Sequence, residues 1–124
     1  MRLSDIKDEE RFGVVDEAAA IIERLAKNED FKAMMFKDDI DPKTDPKIMA
    51  QIMNKRVFAH MPKLMRSAKA DIVAYLAVVE GVSEEEYSKD LSLGKIFNGV
   101  LEMIKDPIFI NFFYLSQTPS AEQP

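Results

Sequence analysis

The sequence predicts an all-α protein: a single compact bundle of about six short helices over residues 1–115, followed by a disordered tail at 116–124. Apolar residues recur at helical spacing along almost the whole chain, and no stretch alternates for long enough to indicate a sheet. Glycine, proline and capping residues then divide the chain into segments of helical length. With 124 residues, 47% of them apolar, the chain can bury one core without disulfides or metal.

The first helices follow from apolar stripes and one cap. Apolar residues on one face predict helices over 9–27 and 29–37. Asp45 precedes a proline, and this pair predicts an N-cap and a first helical residue for a third helix over 46–59. Pro62 is expected to break or kink that helix, because proline lacks a backbone N–H and clashes with the preceding turn. The acidic linker before Asp45 is not expected to bind calcium, since a lysine replaces one oxygen ligand and no glycine makes the turn.

The second half of the chain shows the same signals. Helix 70–80 is apolar on all sides and is therefore expected in the middle of the bundle. Ser83 has a glutamate three residues later, which is a capping-box pattern, and Ser92 and Asp106 are further expected N-caps. The predicted elements are a short basic helix at 63–67, a helix starting after Ser83, and helices at 70–80, 93–105 and 108–115.

The apolar stripes also predict which side chains face the core. Several large residues of the third helix and of helix 93–105 are assigned to inner faces by this pattern. They include Ile48, Phe58 and Leu93. Met61 and Met65 lie at helical spacing too, and are interpreted as core residues.

Composition excludes several kinds of chemistry. The chain has no cysteine. It therefore cannot form a disulfide, use a thiol nucleophile or bind a metal through cysteine. His60 is the single histidine, and a structural role near a helix end is expected for it. No apolar run reaches the ~20 residues that span a bilayer, and the charged first residues do not predict a signal peptide. No metal or cofactor is expected, and an enzyme is the least supported class.

Charge is distributed unevenly along the chain. Residues 1–45 have a net charge of −5, residues 46–70 of +6 without a single acid, and residues 71–124 of −6. This order predicts docking of the basic segment on acidic faces, within the fold or on a second copy. The residues expected to mediate self-association are Lys55, Arg56, Lys63, Arg66 and Lys69. The alternative is a nucleic-acid-binding regulator that uses the same segment, although a pI near 4.9 would repel phosphates over most of the surface.

The predicted last helix is rich in aromatic residues. Four of the eleven aromatic residues lie between Phe109 and Tyr114, in a stretch without charge. Either the helix packs its rings into the bundle, or some rings face outward and bind a partner, since so short a helix cannot easily bury both faces. The candidate partner-binding residues are Ile108, Phe109, Phe112, Phe113 and Tyr114.

Three regions of the sequence, taken together and in order, are similar to one known family. They are Arg2–Lys7 at the start, Met61–Leu64 with Ala70–Ala77 and Glu80–Tyr87 in the centre, and Ile104–Pro107 with Phe112 and Phe113 near the end. In this combination the chain resembles the tail assembly chaperones of long-tailed phages and prophages of Gram-positive bacteria.

The resemblance implies a small, helical, non-catalytic protein of the bacterial host cytoplasm. Such a protein coats the tape measure protein before the tail tube polymerises, associates with itself, and is absent from the mature virion. It also implies a longer, frameshifted form that would contact the tail tube protein, with the present chain as the short form. Nucleic acid and membranes are not expected partners. No binding residue is taken over from the family, so the candidate sites depend on the residues of this chain.

Overall fold

The computed structural model describes residues 2–6, 13–35 and 41–117. This part of the chain is all-α: it contains seven α-helices, one 3-10 turn at Leu3–Asp5 and no strand. The helices are α1 (Val14–Ala26), α2 (Glu29–Met35), α3 (Pro46–Ser67), α4 (Lys69–Glu80), α5 (Glu84–Ser88), α6 (Leu93–Lys105) and α7 (Pro107–Gln117). The predicted all-α bundle is confirmed, with seven helices where about six were expected.

Helix α4 occupies the centre of the bundle, as predicted from its apolar composition. It contacts α1, α3, α5 and α6. Its buried residues are Ile72, Val73, Ala74, Tyr75, Leu76, Ala77 and Val79. Gly81 ends the helix with a left-handed backbone (φ 77°), a conformation that glycine adopts without steric cost. The central element therefore presents apolar side chains to helices on several sides.

The expected N-caps are confirmed by side-chain hydrogen bonds. Asp45 accepts the N–H of Lys47 at 2.8 Å, Ser83 accepts that of Glu86 at 3.0 Å, and Ser92 accepts that of Lys95 at 3.1 Å. Asp106 likewise accepts the N–H of Ile108 at 3.0 Å. Each bond satisfies a donor that has no partner within the first turn of its helix.

The predicted break at Pro62 is wrong, because α3 continues through it to Ser67. Met53, Val57, Met61 and Leu64 form one buried stripe along both halves of the helix. Burying these side chains outweighs the cost of an interior proline, which is about 3 kcal/mol. The residues predicted as a separate basic helix at 63–67 are therefore the last turn of α3.

Of two predicted helix ends, one is confirmed and one is wrong. Helix α1 ends at Ala26, next to the predicted end at residue 27, and Asn28 then caps the second helix: its Oδ1 accepts the N–H of Phe31 at 2.9 Å. Ser116 and Gln117 were assigned to the tail, yet both belong to α7, and Gln117 donates to the carbonyl oxygen of Ala26 at 2.7 Å. The predicted start of the first helix, the end of the second and the tail at 118–124 lie outside the described residues.

Aromatic rings join α2, α4 and α7 in the core. The Phe109 ring lies 5.3 Å from that of Tyr75 and 5.9 Å from that of Phe31, both nearly edge-on. Phe113 stacks on Phe109 at 6.0 Å and also contacts Phe31. Edge-to-face and offset ring pairs of this kind add to the stabilisation that burial provides. No helix in the described ranges is long and apolar enough to cross a membrane.

Candidate functional site

The structure separates the candidate residues of the last helix into two groups. Phe109 and Phe113 are buried in the core, with exposed fractions of 0% and 2%. Ile108 and Phe112 are half-buried and pack against that core, whereas Tyr114 is exposed. For the first two rings the structure favours the alternative in which α7 packs onto the bundle. The exposed large apolar residues of α7 are Tyr114 and its neighbour Leu115. The Tyr114 hydroxyl donates to the carbonyl oxygen of Met35 at 3.4 Å, and its ring contacts that of Phe113.

The basic residues of segment 46–70 lie along α3 and at the start of α4. Lys55, Lys63, Arg66 and Lys69 are exposed, and Arg56 is half-buried. Arg66 and Lys69 line a cleft whose other wall includes Glu84 and Glu85 of α5. Bases of this segment and acids of α5 therefore line the same cleft within one chain. Self-association through the remaining bases stays a prediction.

An apolar groove lies between α3 and α6. All of its described lining residues are apolar, and it has a volume of about 470 Å³. Helix α3 contributes Phe58, Met61, Pro62 and Met65, and α6 contributes Leu93, Gly94 and Phe97. We call this feature the α3–α6 groove. A depression lined in this way can bind apolar side chains but offers no group for acid–base or metal chemistry.

The walls of the α3–α6 groove are exposed and its floor is buried. Phe58 is 71% exposed and Leu93 is 61% exposed, whereas Met61 at the base is buried. The Phe58 ring packs edge-to-face on that of Phe97, with centroids 6.1 Å apart. Single exposed apolar residues are ordinary, but a contiguous patch of them marks an interaction surface.

The sequence prediction that Ile48, Phe58 and Leu93 face inward is wrong. In α3 the buried stripe follows Val57 and Met61, which leaves Phe58 about 100° further around the helix. In α6 the buried residues begin at Ile96, so Leu93 at the first helical position lies beyond the core. Ile48 is in the first turn of α3 and is also exposed. Met65, expected in the core, is half-buried at the groove.

Basic side chains border the groove along α3. Lys55 precedes Phe58 by three residues, so the two are neighbours on the helix surface. Arg66 follows Pro62 by four residues, and its Nε donates to the Pro62 carbonyl oxygen at 3.4 Å. On α6, Lys95 is directed elsewhere: its Nζ donates to the Tyr87 carbonyl oxygen at 3.2 Å and lies 4.1 Å from the centre of the Tyr87 ring. Helix α3 itself contains no acidic residue.

The titratable groups that could do chemistry serve structural contacts. Nδ1 of His60 lies 2.9 Å from the carbonyl oxygen of Arg56 inside α3, not near a helix end as expected. Burial raises the pKa of Tyr75, and the nearby Asp106 charge adds to this effect. Burial and the charge of Glu80 raise the pKa of Tyr87. Within the described ranges, no group of three or more His, Cys, Asp or Glu side chains could hold a metal ion.

No family model, curated protein or solved structure matches this chain. The function is therefore inferred from the chain's own surface, together with the resemblance given above.

Proposed function

We propose that this protein is a non-catalytic assembly chaperone that binds an amphipathic helix of its client in the α3–α6 groove. The observation that supports this proposal is the groove itself: an apolar depression between two helices, with exposed walls at Phe58 and Leu93. The client that fits the sequence resemblance is the tape measure protein of a long-tailed phage, a long, apolar and helical chain. The site of action is the cytoplasm of the bacterial host, and the mature virion lacks the chaperone.

A helix is the natural occupant of a groove formed by two helices. An amphipathic helix presents apolar side chains at spacings of three, four and seven residues, and these fit into an apolar groove. Phe58 and Phe97 are in edge-to-face contact, so α3 and α6 present one continuous apolar surface to such side chains, while Met61 closes the floor. Methionine suits such a site because its flexible side chain adapts to irregular partners.

The size of the groove favours weak and reversible binding. Burying a side chain such as Phe58 or Leu93 stabilises a complex by about 1.5–3 kcal/mol, and the entropy lost on association offsets much of this gain. One groove therefore binds one helical segment loosely. Many copies along a long client would protect it before the tail tube polymerises and could then leave.

Self-association completes this proposal, since neighbouring copies along one client would contact each other. The exposed bases Lys55, Lys63 and Lys69 are the candidates for such contacts with acidic faces of a second copy. A longer, frameshifted form would link the coated client to the tail tube protein. Sedimentation at low and high salt tests the self-association, which should weaken as salt shortens the Debye length to ~3 Å at about 1 M.

Co-expression with tape measure fragments tests the chaperone function. The variant is Phe58→Ala with Leu93→Ala, which removes both exposed walls of the groove without touching the core. The control is Tyr114→Ala with Leu115→Ala, which removes two exposed side chains from α7, together with the hydrogen bond from the Tyr114 hydroxyl to the Met35 carbonyl oxygen at 3.4 Å and the ring contact with Phe113. Thermal melting should show that each variant is folded, and only the groove variant should fail to keep the client soluble.

Other results of this experiment would assign the function differently. Failure of the α7 variant alone would move the client site to the residues first expected from the sequence. Solubilisation by every variant, or by none including the unmodified protein, would contradict the proposal. Retention on DNA that is lost steeply with salt would instead favour the alternative regulator, although Glu84 and Glu85 beside Arg66 and Lys69 oppose a phosphate backbone.

A further inference from the structure

The borders of the α3–α6 groove indicate what kind of helix it selects. We infer that the groove takes an amphipathic helix whose edge alongside α3 is acidic, with carboxylates placed next to its apolar anchors. This inference rests on the proposed function, because it concerns the same groove. It adds the charge of the partner and the side of the groove on which that charge lies.

Two bases determine the charge of that border. Lys55 is exposed one turn before Phe58, and Arg66 is exposed one turn after Pro62. The hydrogen bond from Arg66 Nε to the Pro62 carbonyl oxygen directs its guanidinium back toward a residue that lines the groove. A helix lying in the groove would therefore pass both cations at its α3 edge.

Within the described ranges, no carboxylate lines the α3–α6 groove. Helix α3 contains no acid. Glu84 and Glu85 share a separate cleft with Arg66, and Asp30 accepts the hydroxyl of Ser67, the residue after Arg66, at 2.6 Å. On the α6 side, Glu102 is paired with Arg2, and Lys95 lies over Tyr87. Lys55 thus faces the groove edge without a carboxylate on its own helix.

The bases are suited to selecting the partner and its orientation rather than to strengthening its binding. Ion pairs at the edge of an interface are exposed to solvent and each contributes little. Opposite charges nevertheless speed association, and like charges exclude the wrong partner. Because the bases lie on the α3 side only, an acidic edge would also fix which face of the client helix points toward α3.

Two synthetic helices of about 15–20 residues provide the test. They share the same apolar anchors, but one has glutamate and the other lysine along one flank. Binding is measured by fluorescence anisotropy at low salt and at about 1 M salt. We expect the glutamate peptide to bind about threefold to tenfold more tightly at low salt, and the difference to shrink at high salt.

Charge reversal connects that preference to the two bases. The variant Lys55→Glu with Arg66→Glu should favour the lysine peptide. The control Lys43→Glu with Lys105→Glu changes the net charge equally, at exposed positions outside the groove and the proposed self-association residues, and should retain the original preference. Thermal melting of both variants verifies that each is folded.

The possible outcomes separate this inference from the proposed function. If the two peptides bind equally, or if the lysine peptide binds more tightly, the inference of an acidic partner is wrong. The groove would still be a site that binds helices. Failure of both peptides to bind would contradict the groove as a helix site and so the proposed function as well. If sedimentation instead shows a dimer that Phe58→Ala abolishes, the groove is occupied by a second copy and the inference is wrong.

Discussion

The carboxylate of Asp106 accepts the backbone N–H of Leu3 at 2.6 Å and thereby ties the first turn of the chain to the start of α7. The other oxygen of the same carboxylate accepts the N–H of Ile108, where it caps α7. Asp106 is fully buried, and Leu3 beside it is also buried. One side chain therefore satisfies two backbone donors that are far apart in the sequence.

Replacing Asp106 by asparagine should lower the free energy of unfolding by about 1.5–3 kcal/mol, the range for hydrogen bonds to charged groups. The amide keeps one acceptor but turns an N–H group toward one of the two backbone donors. Urea unfolding measures the loss. Ser92→Ala is the control, because it removes an exposed cap and should cost only about 1 kcal/mol. Equal losses for the two variants would mean that the bond to Leu3 contributes nothing.

The ion pair between Arg2 and Glu102 should make stability depend on pH. The hydrogen bond from Arg2, together with its charge, lowers the pKa of Glu102 in the folded protein. The stabilisation by this ion pair is therefore present above the pKa that Glu102 has in the unfolded chain. It is lost as pH falls through the lower pKa that Glu102 has in the folded protein. Unmodified protein should exceed Glu102→Gln in stability at pH 7 by at most about 1 kcal/mol, and the gap should close below pH about 4. A stability difference between the two proteins that stays constant across this pH range would contradict a stabilising ion pair between Arg2 and Glu102.

Tyr75 should make the protein sensitive to alkaline pH. Burial, aided by the Asp106 charge, raises the pKa of its phenol in the folded state. Its contribution to stability is therefore complete below the unfolded pKa of about 10 and is lost as pH rises above it. Tyr75→Phe should shift alkaline unfolding, followed by circular dichroism, to higher pH. The tyrosinate absorbance of Tyr75 is the part that the unmodified protein shows and Tyr75→Phe lacks. It should appear only when the protein unfolds, and its appearance in folded protein would refute the prediction.

Two phenylalanines should respond very differently to truncation. Phe109→Ala removes a fully buried ring and should cost about 3–5 kcal/mol of unfolding free energy. Phe58→Ala removes a ring that is mostly exposed and should change stability by less than about 1 kcal/mol. Denaturant titration of both variants measures the difference. Similar costs would mean that Phe58 belongs to the core and that the groove is not an open surface.

The elements that the sequence predicts best are those that depend only on residues close to one another in the sequence. Asp45, Ser83 and Ser92 are caps because their side chains bond the next backbone donors, and α4 is central because it is apolar on every side. The predicted break at Pro62 does not occur, because the burial of Met61 and Leu64, which keeps α3 continuous, depends on packing against other helices.

The candidate site was harder to predict than the fold. Phe58 and Leu93 are separated in sequence by the whole of α4 and α5, and only the packing of α3 on α6 brings them into one groove. Helical spacing assigned both to the core, since a stripe indicates the apolar side of a helix but not which of its residues another helix covers. The sequence predicts that segment 46–70 is basic. It does not predict which of these bases border the groove, because that depends on which side of α3 faces α6.

The contact of α7 with α1, α2 and α4 also sets the order of events during synthesis. Phe109 and Phe113 complete the core, so the apolar faces of the earlier helices stay uncovered until the ribosome has released α7. A nascent chain ending before Pro107 would present these faces to solvent and to other nascent chains. The stretch from Pro107 to Gln117 thus supplies the last cover of the apolar core during synthesis.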